Sequence, residues 1–80
     1  MAKVVLEELN GDIEEGIVET WFFQEGDQIA EGDDLVRIET DEGTHTVTSP
    51  FSGHLNEIYF TEGEEVGLGD VLCEIEDDEE

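Results

Sequence analysis

Basic side chains are almost absent from this chain: Lys3 and Arg37 face 25 aspartates and glutamates, and the formal net charge is −23. Proteins that bind nucleic acids need clustered lysine and arginine to neutralise phosphates, so the composition excludes that class. The same shortage of cations excludes attraction to an anionic membrane surface. Repulsion among the acids must cost folding free energy at low ionic strength, and added salt should relieve it.

Cysteine, methionine and proline each occur once, and long apolar runs are missing. Because Cys73 stands alone in an alternating segment, no disulfide can form within the chain, and we expect a small core or edge residue. No segment reaches the ~18 consecutive apolar residues of a membrane span, and residues 1–6 are too short for a signal-peptide core. We therefore expect a cytoplasmic protein with no membrane partner, or an excised domain of one.

Three interpretations of the acidity remain open. It confers solubility, it reflects a salty cytoplasm, or it presents an acidic face to a basic protein partner. The 80 residues correspond to one small domain, which we place at residues 1–76, and residues 77–80 form an acidic tail.

An internal repeat organises the domain. A shift of 37 residues lays residues 16–39 onto 53–76, and nine of the 24 aligned positions are identical. Each half shows a strand, a Glu-Gly turn, a short strand, a Gly-Asp turn and a strand. Two similar halves within one domain predict a structure with pseudo-twofold symmetry.

The spacing of glycines and apolar residues in both halves predicts an all-β fold. Gly26 and Gly63 fall where a turn needs a positive φ, which glycine adopts without steric cost. Roughly eight strands of three to five residues, in two four-stranded sheets around one core, fit this pattern. Six apolar side chains are spaced for burial: Ile29, Leu35, Ile38, Val66, Leu72 and Ile75. The repeat also places the turn after Glu39 and the chain ends at opposite ends of the domain.

An ordered set of motifs resembles the lipoyl and biotinyl attachment domain family over residues 16–76. It comprises Gly-Ile-Val-Glu-Thr-Trp at 16–21, Glu-Gly-Asp-Gln-Ile at 25–29, Gly-Asp-Asp-Leu at 32–35, Ile-Glu-Thr-Asp at 38–41, Ser-Pro-Phe-Ser-Gly-His-Leu at 49–55, Glu-Gly at 62–63 and Gly-Asp-Val-Leu at 69–72. The resemblance implies a flattened barrel-sandwich hybrid of eight strands. Trp21 and Phe23 are then expected to pack between the sheets.

The attachment hairpin of the lipoyl family usually reads Glu-Thr-Asp-Lys-Ala, and its lysine carries the lipoyl group in amide linkage. Here the hairpin reads Glu39, Thr40, Asp41, Glu42 and Gly43. Glu42 therefore stands at the acceptor position that the resemblance implies, and a carboxylate cannot take the place of the amine. We expect no cofactor. Both natural drift and a deliberate lysine-to-glutamate substitution remain open.

Other residues offer no substitute acceptor or catalytic centre. Lys3 is the only lysine, and we expect it in or just before the first strand, far from the hairpin. Arg37 should form a surface ion pair with Glu39 or another neighbour. His45 and His54 lack ligand spacing and no EF-hand pattern occurs, so no metal site is predicted. No nucleophile–base pair is visible, so we expect no catalytic residues.

Related families resemble the chain less. Biotinyl carriers flank their lysine with methionines, the glycine-cleavage H protein is larger, and efflux adaptors carry a long helical hairpin. Two functions remain. One is a non-acylated interaction or structural module that uses the hairpin 39–43. The other is a carrier-type domain of a 2-oxo-acid dehydrogenase complex, inactive or recognised unmodified. Either implies a protein partner, such as a basic surface of a dehydrogenase-complex subunit.

Overall fold

The computed structural model describes residues 2–9 and 11–77, which form eight β-strands and no helix. The strands are β1 (Ala2–Val5), β2 (Glu15–Trp21), β3 (Gln28–Ile29), β4 (Asp34–Thr40), β5 (Gly43–Thr48), β6 (Gly53–Ile58), β7 (Glu65–Gly67) and β8 (Val71–Glu76). They build two antiparallel four-stranded sheets with the orders β1-β8-β6-β3 and β5-β4-β2-β7. This confirms the predicted all-β fold.

The two repeats exchange their short central strands. β2 and β4 belong to one sheet, while β3 between them pairs with β6 in the other sheet. In the second repeat, β6 and β8 pair together, and β7 crosses to pair with β2. This arrangement has the expected pseudo-twofold symmetry. The expected strand length of three to five residues was wrong, since β3 has two residues and β2 and β4 have seven, because tight turns bound the central strands on both sides.

The core lies between the sheets and is apolar. All six side chains that the repeat predicted to be buried are at most 1% exposed. The segment before the repeat adds Val4, Leu6 and Leu9 to the core, and its backbone is tied to the second repeat: the Leu6 amide donates to the Asp70 carbonyl over 2.9 Å. The N-terminal segment from Val4 to Leu9 therefore packs into the same core as the two repeats.

Both Glu-Gly turns place glycine in the left-handed region, with φ of 98° at Gly26 and 93° at Gly63. The Gly26 amide donates to the Leu55 carbonyl over 2.7 Å, and the Gly63 amide donates to the Val18 carbonyl over 2.8 Å. Each turn thus donates a hydrogen bond to a strand of the other repeat. The glycines that give these turns their positive φ therefore also link the two halves of the domain.

Aromatic and thiol side chains occupy the predicted environments. Trp21 and Phe23 are partly buried against the core, and the Trp21 indole nitrogen donates to the Phe60 carbonyl over 2.8 Å.

Cys73 is fully buried, and burial raises the pKa of its thiol to about 12. The thiol is therefore a protonated core group, as expected of an unreactive cysteine.

The Asp41-Glu42 turn and the described chain ends lie at opposite ends of the domain, which measures 40 × 19 × 17 Å. β4 begins beside the segment that leads to Gly53, because the Ser49 amide donates to the Asp33 carbonyl over 2.8 Å. The end of β8 also lies at Gly53, whose Cα faces the Glu76 carbonyl. The seven residues of β4 then extend about 23 Å to the turn. Of the predicted tail at 77–80, residues 78–80 lie outside the described residues.

Candidate functional site

The hairpin at 39–43 joins β4 to β5 through a two-residue turn. Thr40 pairs with Gly43, and Glu39 pairs with Thr44 in the antiparallel register. Asp41 and Glu42 alone form the turn, and both are exposed. The carboxylates of residues 41 and 42 therefore lie at the end of the domain, where a partner can reach them.

The turn takes its positive φ from glycine. Among the described residues no other residue type has a positive φ, so Asp41 and Glu42 do not form a type I′ or II′ turn. Gly43 follows them with a φ of 115°. No atom lies within 4 Å of a Cβ placed there, so the backbone conformation, and not a lack of space, favours glycine. The positive φ at position 43 thus explains why glycine is favoured there.

Thr40 closes the turn with its side chain. Its hydroxyl donates to the Gly43 carbonyl over 2.8 Å and accepts a hydrogen bond from the Glu42 amide over 3.1 Å. These two bonds satisfy backbone groups that a two-residue turn otherwise leaves to water. The position of Glu42 is therefore set by its neighbour two residues earlier.

β2 passes close to the base of the hairpin because Gly16 has no side chain. A Cβ at Gly16 would lie 2.7 Å from both the Glu39 carbonyl oxygen and the Ile38 Cγ2 atom. Ile17 pairs with Glu39 on one side and with Glu65 of β7 on the other. The close approach thus brings β2 and β7 side chains to the hairpin.

A shallow acidic depression results, which we call the tip surface. Ile17, an apolar side chain, is 46% exposed within it and is surrounded by carboxylates. The tip surface consists of Glu15, Gly16, Ile17, Glu39, Thr40, Asp41 and Glu65, together with Glu42 of the turn.

The sequence analysis missed Glu15, Ile17 and Glu65 as members of this site. They come from strands distant in sequence, and only the pairing of β2 with β4 and β7 brings them to the hairpin. One sequence signal was available: the alternation around Gly16 and Val18 directs Ile17 away from the core. Nothing local to residue 65 indicates its place beside the hairpin.

Neither cation lines the tip surface, although Arg37 lies on β4 only two residues before Glu39. Lys3 is exposed in β1 and pairs with Glu74 of β8, in the other sheet. The Arg37 Nε atom lies 3.8 Å from the Glu19 Oε1 atom, and its guanidinium stands 5.3 Å from the Phe22 ring centre. The predicted surface ion pair of Arg37 therefore exists, with Glu19 as the neighbour, and contributes at most ~1 kcal/mol.

The histidines are not brought together. His45 lies on β5, whereas His54 lies on β6 in the other sheet, with its Nε2 atom 3.0 Å from the Glu76 Oε1 atom. Within residues 2–9 and 11–77, no group of three or more histidine, cysteine, aspartate or glutamate side chains is arranged to hold a metal ion. The same residues include no helix that is long and apolar enough to cross a membrane.

Comparison with known proteins identifies relatives of this domain. The model of the biotin–lipoyl family, described as biotin-requiring enzyme, matches residues 5–75. The acetyltransferase component of the acetoin cleaving system of Pseudomonas putida is 49% identical over 41 residues, 51% of this chain. The acetyltransferase component of the mitochondrial pyruvate dehydrogenase complex of Caenorhabditis elegans is 43% identical over 56 residues, 70% of this chain. The matches span only 11% of either relative's own length.

Solved structures show the same fold. The lipoyl domain of the 2-oxoglutarate dehydrogenase complex from Azotobacter vinelandii superposes with a TM-score of 0.73 and 27% identity, covering 94% of this chain and 95% of that chain. A single-chain, multi-domain long-chain acyl-CoA carboxylase matches with a TM-score of 0.71 and 25% identity, over 89% of this chain and 7% of that one. The chain therefore belongs to the biotin–lipoyl family, and its fold is that of a lipoyl domain.

Proposed function

We propose that this chain is a lipoyl-domain-like module that carries no lipoyl group and acts by binding another protein through the tip surface. The observation that carries the proposal is Glu42 in the exposed turn of the hairpin. A lipoyl group attaches to a primary amine, and this turn offers carboxylates at both of its positions. The module is thus neither a catalyst nor an acylated carrier.

Lys3 does not replace the missing amine in this proposal. It is the only lysine of the chain, and it lies within β1, where it pairs with Glu74. A ligase that reads an exposed turn finds no turn around Lys3, because the residues on both sides belong to the same strand. The absence of an acceptor thus extends to the whole sequence.

The partner in this proposal presents a basic surface, as a subunit of a 2-oxo-acid dehydrogenase complex. The five carboxylates of the tip surface, around the exposed Ile17, favour lysine or arginine together with an apolar contact. The net charge of −23 attracts such a surface at long range. The relatives named above are acyltransferase components, and this chain matches only a small part of their length.

An alternative function is the carrier class itself, as an inactive or unmodified domain of a dihydrolipoamide acyltransferase-like protein. The named relatives favour it, and so does the presence of Glu39, Thr40 and Asp41 directly before Glu42. The two functions differ in whether the domain keeps a place in acyl transfer, because only a carrier must deliver a covalent group.

Intact-mass measurement of the protein from its native host tests the proposal. We expect a mass that the amino-acid sequence accounts for in full, with no added group. An increment the size of a lipoyl group would contradict the non-acylated function, and peptide mapping would then show whether Lys3 carries it.

Binding of a partner through the tip surface is tested with a purified dehydrogenase component of a 2-oxo-acid dehydrogenase complex as the probe. Asp41→Asn combined with Glu42→Gln should weaken binding about tenfold, because two charges that face the basic surface are removed. Glu31→Gln combined with Glu57→Gln removes the same charge from exposed positions elsewhere. Equal weakening by both pairs would show attraction by net charge alone and contradict a role for the tip surface.

A further inference from the structure

The longest stretch of the chain without acidic residues has 14 residues. Residues 43–56 contain no aspartate or glutamate, whereas the rest of the sequence holds all 25. This acid-free stretch includes the whole of β5 and begins directly after the acidic turn. The surface formed by β5 is therefore chemically unlike the remainder of the molecule.

β5 is also the longest edge strand. It pairs with β4 on one side, and no strand of the described residues pairs with its other side. The other edge strands, β1, β3 and β7, have four, two and three residues, whereas β5 has six. Proteins usually protect edge strands by shortness or by charged side chains. β5 has neither protection, and its threonines and valine favour an extended backbone.

A groove with both apolar and polar lining residues runs beside this edge. It lies between β5 and β1, the edge strands of the two sheets, and has a volume of 430 Å³. Val5 and Phe51 line it and are each 37% exposed, and Val47, which also lines it, is partly buried against the core. A strand added to β5 would cover these side chains, so main-chain hydrogen bonds and apolar burial would act together.

The charges around the groove restrict what it can accept. Glu7 and Glu8 line the groove along with Lys3, so an occupant gains most from cations at its ends and neutral residues at its centre. A second copy of this chain would bring another charge of −23 and is repelled. β5 itself carries no carboxylate, so an added strand meets carboxylates only at Glu7 and Glu8, where burial costs several kcal/mol per ion unless a cation of the partner pairs with it.

We propose that the exposed edge of β5 binds an extended segment of another protein as an added β-strand, with alternating apolar side chains in the groove and lysine or arginine at its ends. This site is separate from the tip surface and does not depend on the proposed function. The partner's backbone supplies affinity along β5, and the groove selects side chains at alternate positions.

The probe is a short peptide in which valine and threonine alternate between terminal lysines, titrated into the isotope-labelled chain. We expect amide shift changes concentrated in β5 and β1. A peptide of the same sequence with alternate amides N-methylated keeps the charge but cannot pair, and should bind about tenfold more weakly. Equal binding of both peptides, or no shift change at millimolar peptide, would overturn the proposal.

A matched pair of variants locates the site. Thr46→Glu puts a carboxylate on the exposed edge, opposite Arg37 in the register, where an ion pair supports folding. Gln24→Glu adds the same charge at an exposed position outside the groove. We expect Thr46→Glu to weaken peptide binding about fivefold or more and Gln24→Glu to leave it within about twofold. Equal effects, or self-association through β5 without peptide, would refute an added strand from another protein.

Discussion

Glu62 accepts a hydrogen bond from the backbone amide of Trp21, with its Oε2 atom 3.1 Å from the nitrogen. The repeat reproduces this contact, because the Glu25 Oε2 atom lies 2.9 Å from the Ile58 amide. Each glutamate precedes the glycine of a Glu-Gly turn and reaches a strand of the other repeat. The repeated dipeptide therefore joins the halves through both its side chain and its glycine.

Removal of this contact should weaken the fold. Glu62→Ala leaves the Trp21 amide without its carboxylate, and we expect a loss of about 1 kcal/mol in the free energy of unfolding. Glu65→Ala is the control, since it removes the same charge from an exposed strand position. Urea unfolding measures both. A Glu62 variant as stable as the control would show that the contact contributes nothing net.

Two glycines are required by close packing. A Cβ at Gly53 would overlap the Glu76 carbonyl, and a Cβ at Gly16 would lie 2.7 Å from the Glu39 carbonyl oxygen. Gly16→Ala and Gly53→Ala should each cost about 2 kcal/mol or more, because backbone must move to make room. At Gly67 the nearest atom to a Cβ is 3.4 Å away, so Gly67→Ala should cost clearly less. Thermal unfolding ranks the three, and an equal cost would contradict the steric explanation.

The hairpin should still present a lysine correctly. We expect a lipoate ligase to acylate Glu42→Lys at least in part, because the two-residue turn held by Thr40 keeps position 42 exposed. Asp41→Lys makes the same charge change at the neighbouring position and should remain unmodified. Intact mass after incubation with ligase distinguishes them. A folded Glu42→Lys variant without modification would mean that the hairpin differs in shape from a lipoyl attachment hairpin. Gly43 would then be the first residue to substitute.

The contribution of Tyr59 to the stability of the fold should depend on pH above neutrality. A hydrogen bond to the Glu74 side chain, with lesser effects of desolvation and of nearby acids, raises the pKa of the phenol from 10.0 to about 12. The folded state thus holds this proton more tightly than the unfolded state. Its contribution to stability is present below pH 10 and is lost as the pH rises through about 12.

Ultraviolet titration of the phenol tests the cause. In Glu74→Gln we expect the pKa of Tyr59 to fall towards 10, because the carboxylate partner and its charge are both removed. Glu19→Gln, which changes a carboxylate beside Arg37 in the other sheet, should leave the phenol unaffected. An unchanged pKa in Glu74→Gln would exclude the hydrogen bond as the cause.

Salt should stabilise the domain. Its 25 acids and two bases repel one another on balance, and raising the ionic strength shortens the screening length from about 10 Å at 0.1 M to about 3 Å at 1 M. We expect the urea midpoint to rise with sodium chloride. A midpoint that is unchanged by salt would show that repulsion costs the folded state little.

Local features of the sequence predicted most of the fold. Gly26 and Gly63 have their predicted positive φ because a turn's conformation depends on the residues within it. Alternation likewise predicted the buried side chains of both repeats, such as Leu35 and Leu72. Strand lengths were less predictable, since β3 ends where pairing with β6 ends, and pairing is a property of two distant segments.

The candidate site was predictable only in part. Its turn, Asp41-Glu42, is a local feature, and the resemblance to attachment hairpins indicated it. The carboxylates of Glu15 and Glu65 and the exposed Ile17 join it through strand pairing. The edge position of β5 depends likewise on the order of strands in the sheet, which no stretch of β5 itself determines.

The sequence by itself determined the charge, the absence of lysine from residues 39–43, the repeat and the sites of the turns, because each depends on the residues present or on their near neighbours. Only the tertiary structure decided which carboxylates surround the hairpin, that Lys3 lies in a strand of the opposite sheet, and that β5 is an edge strand. Those features follow from pairing between segments far apart in the chain, where loop closure and core packing select one arrangement among many that the local pattern permits.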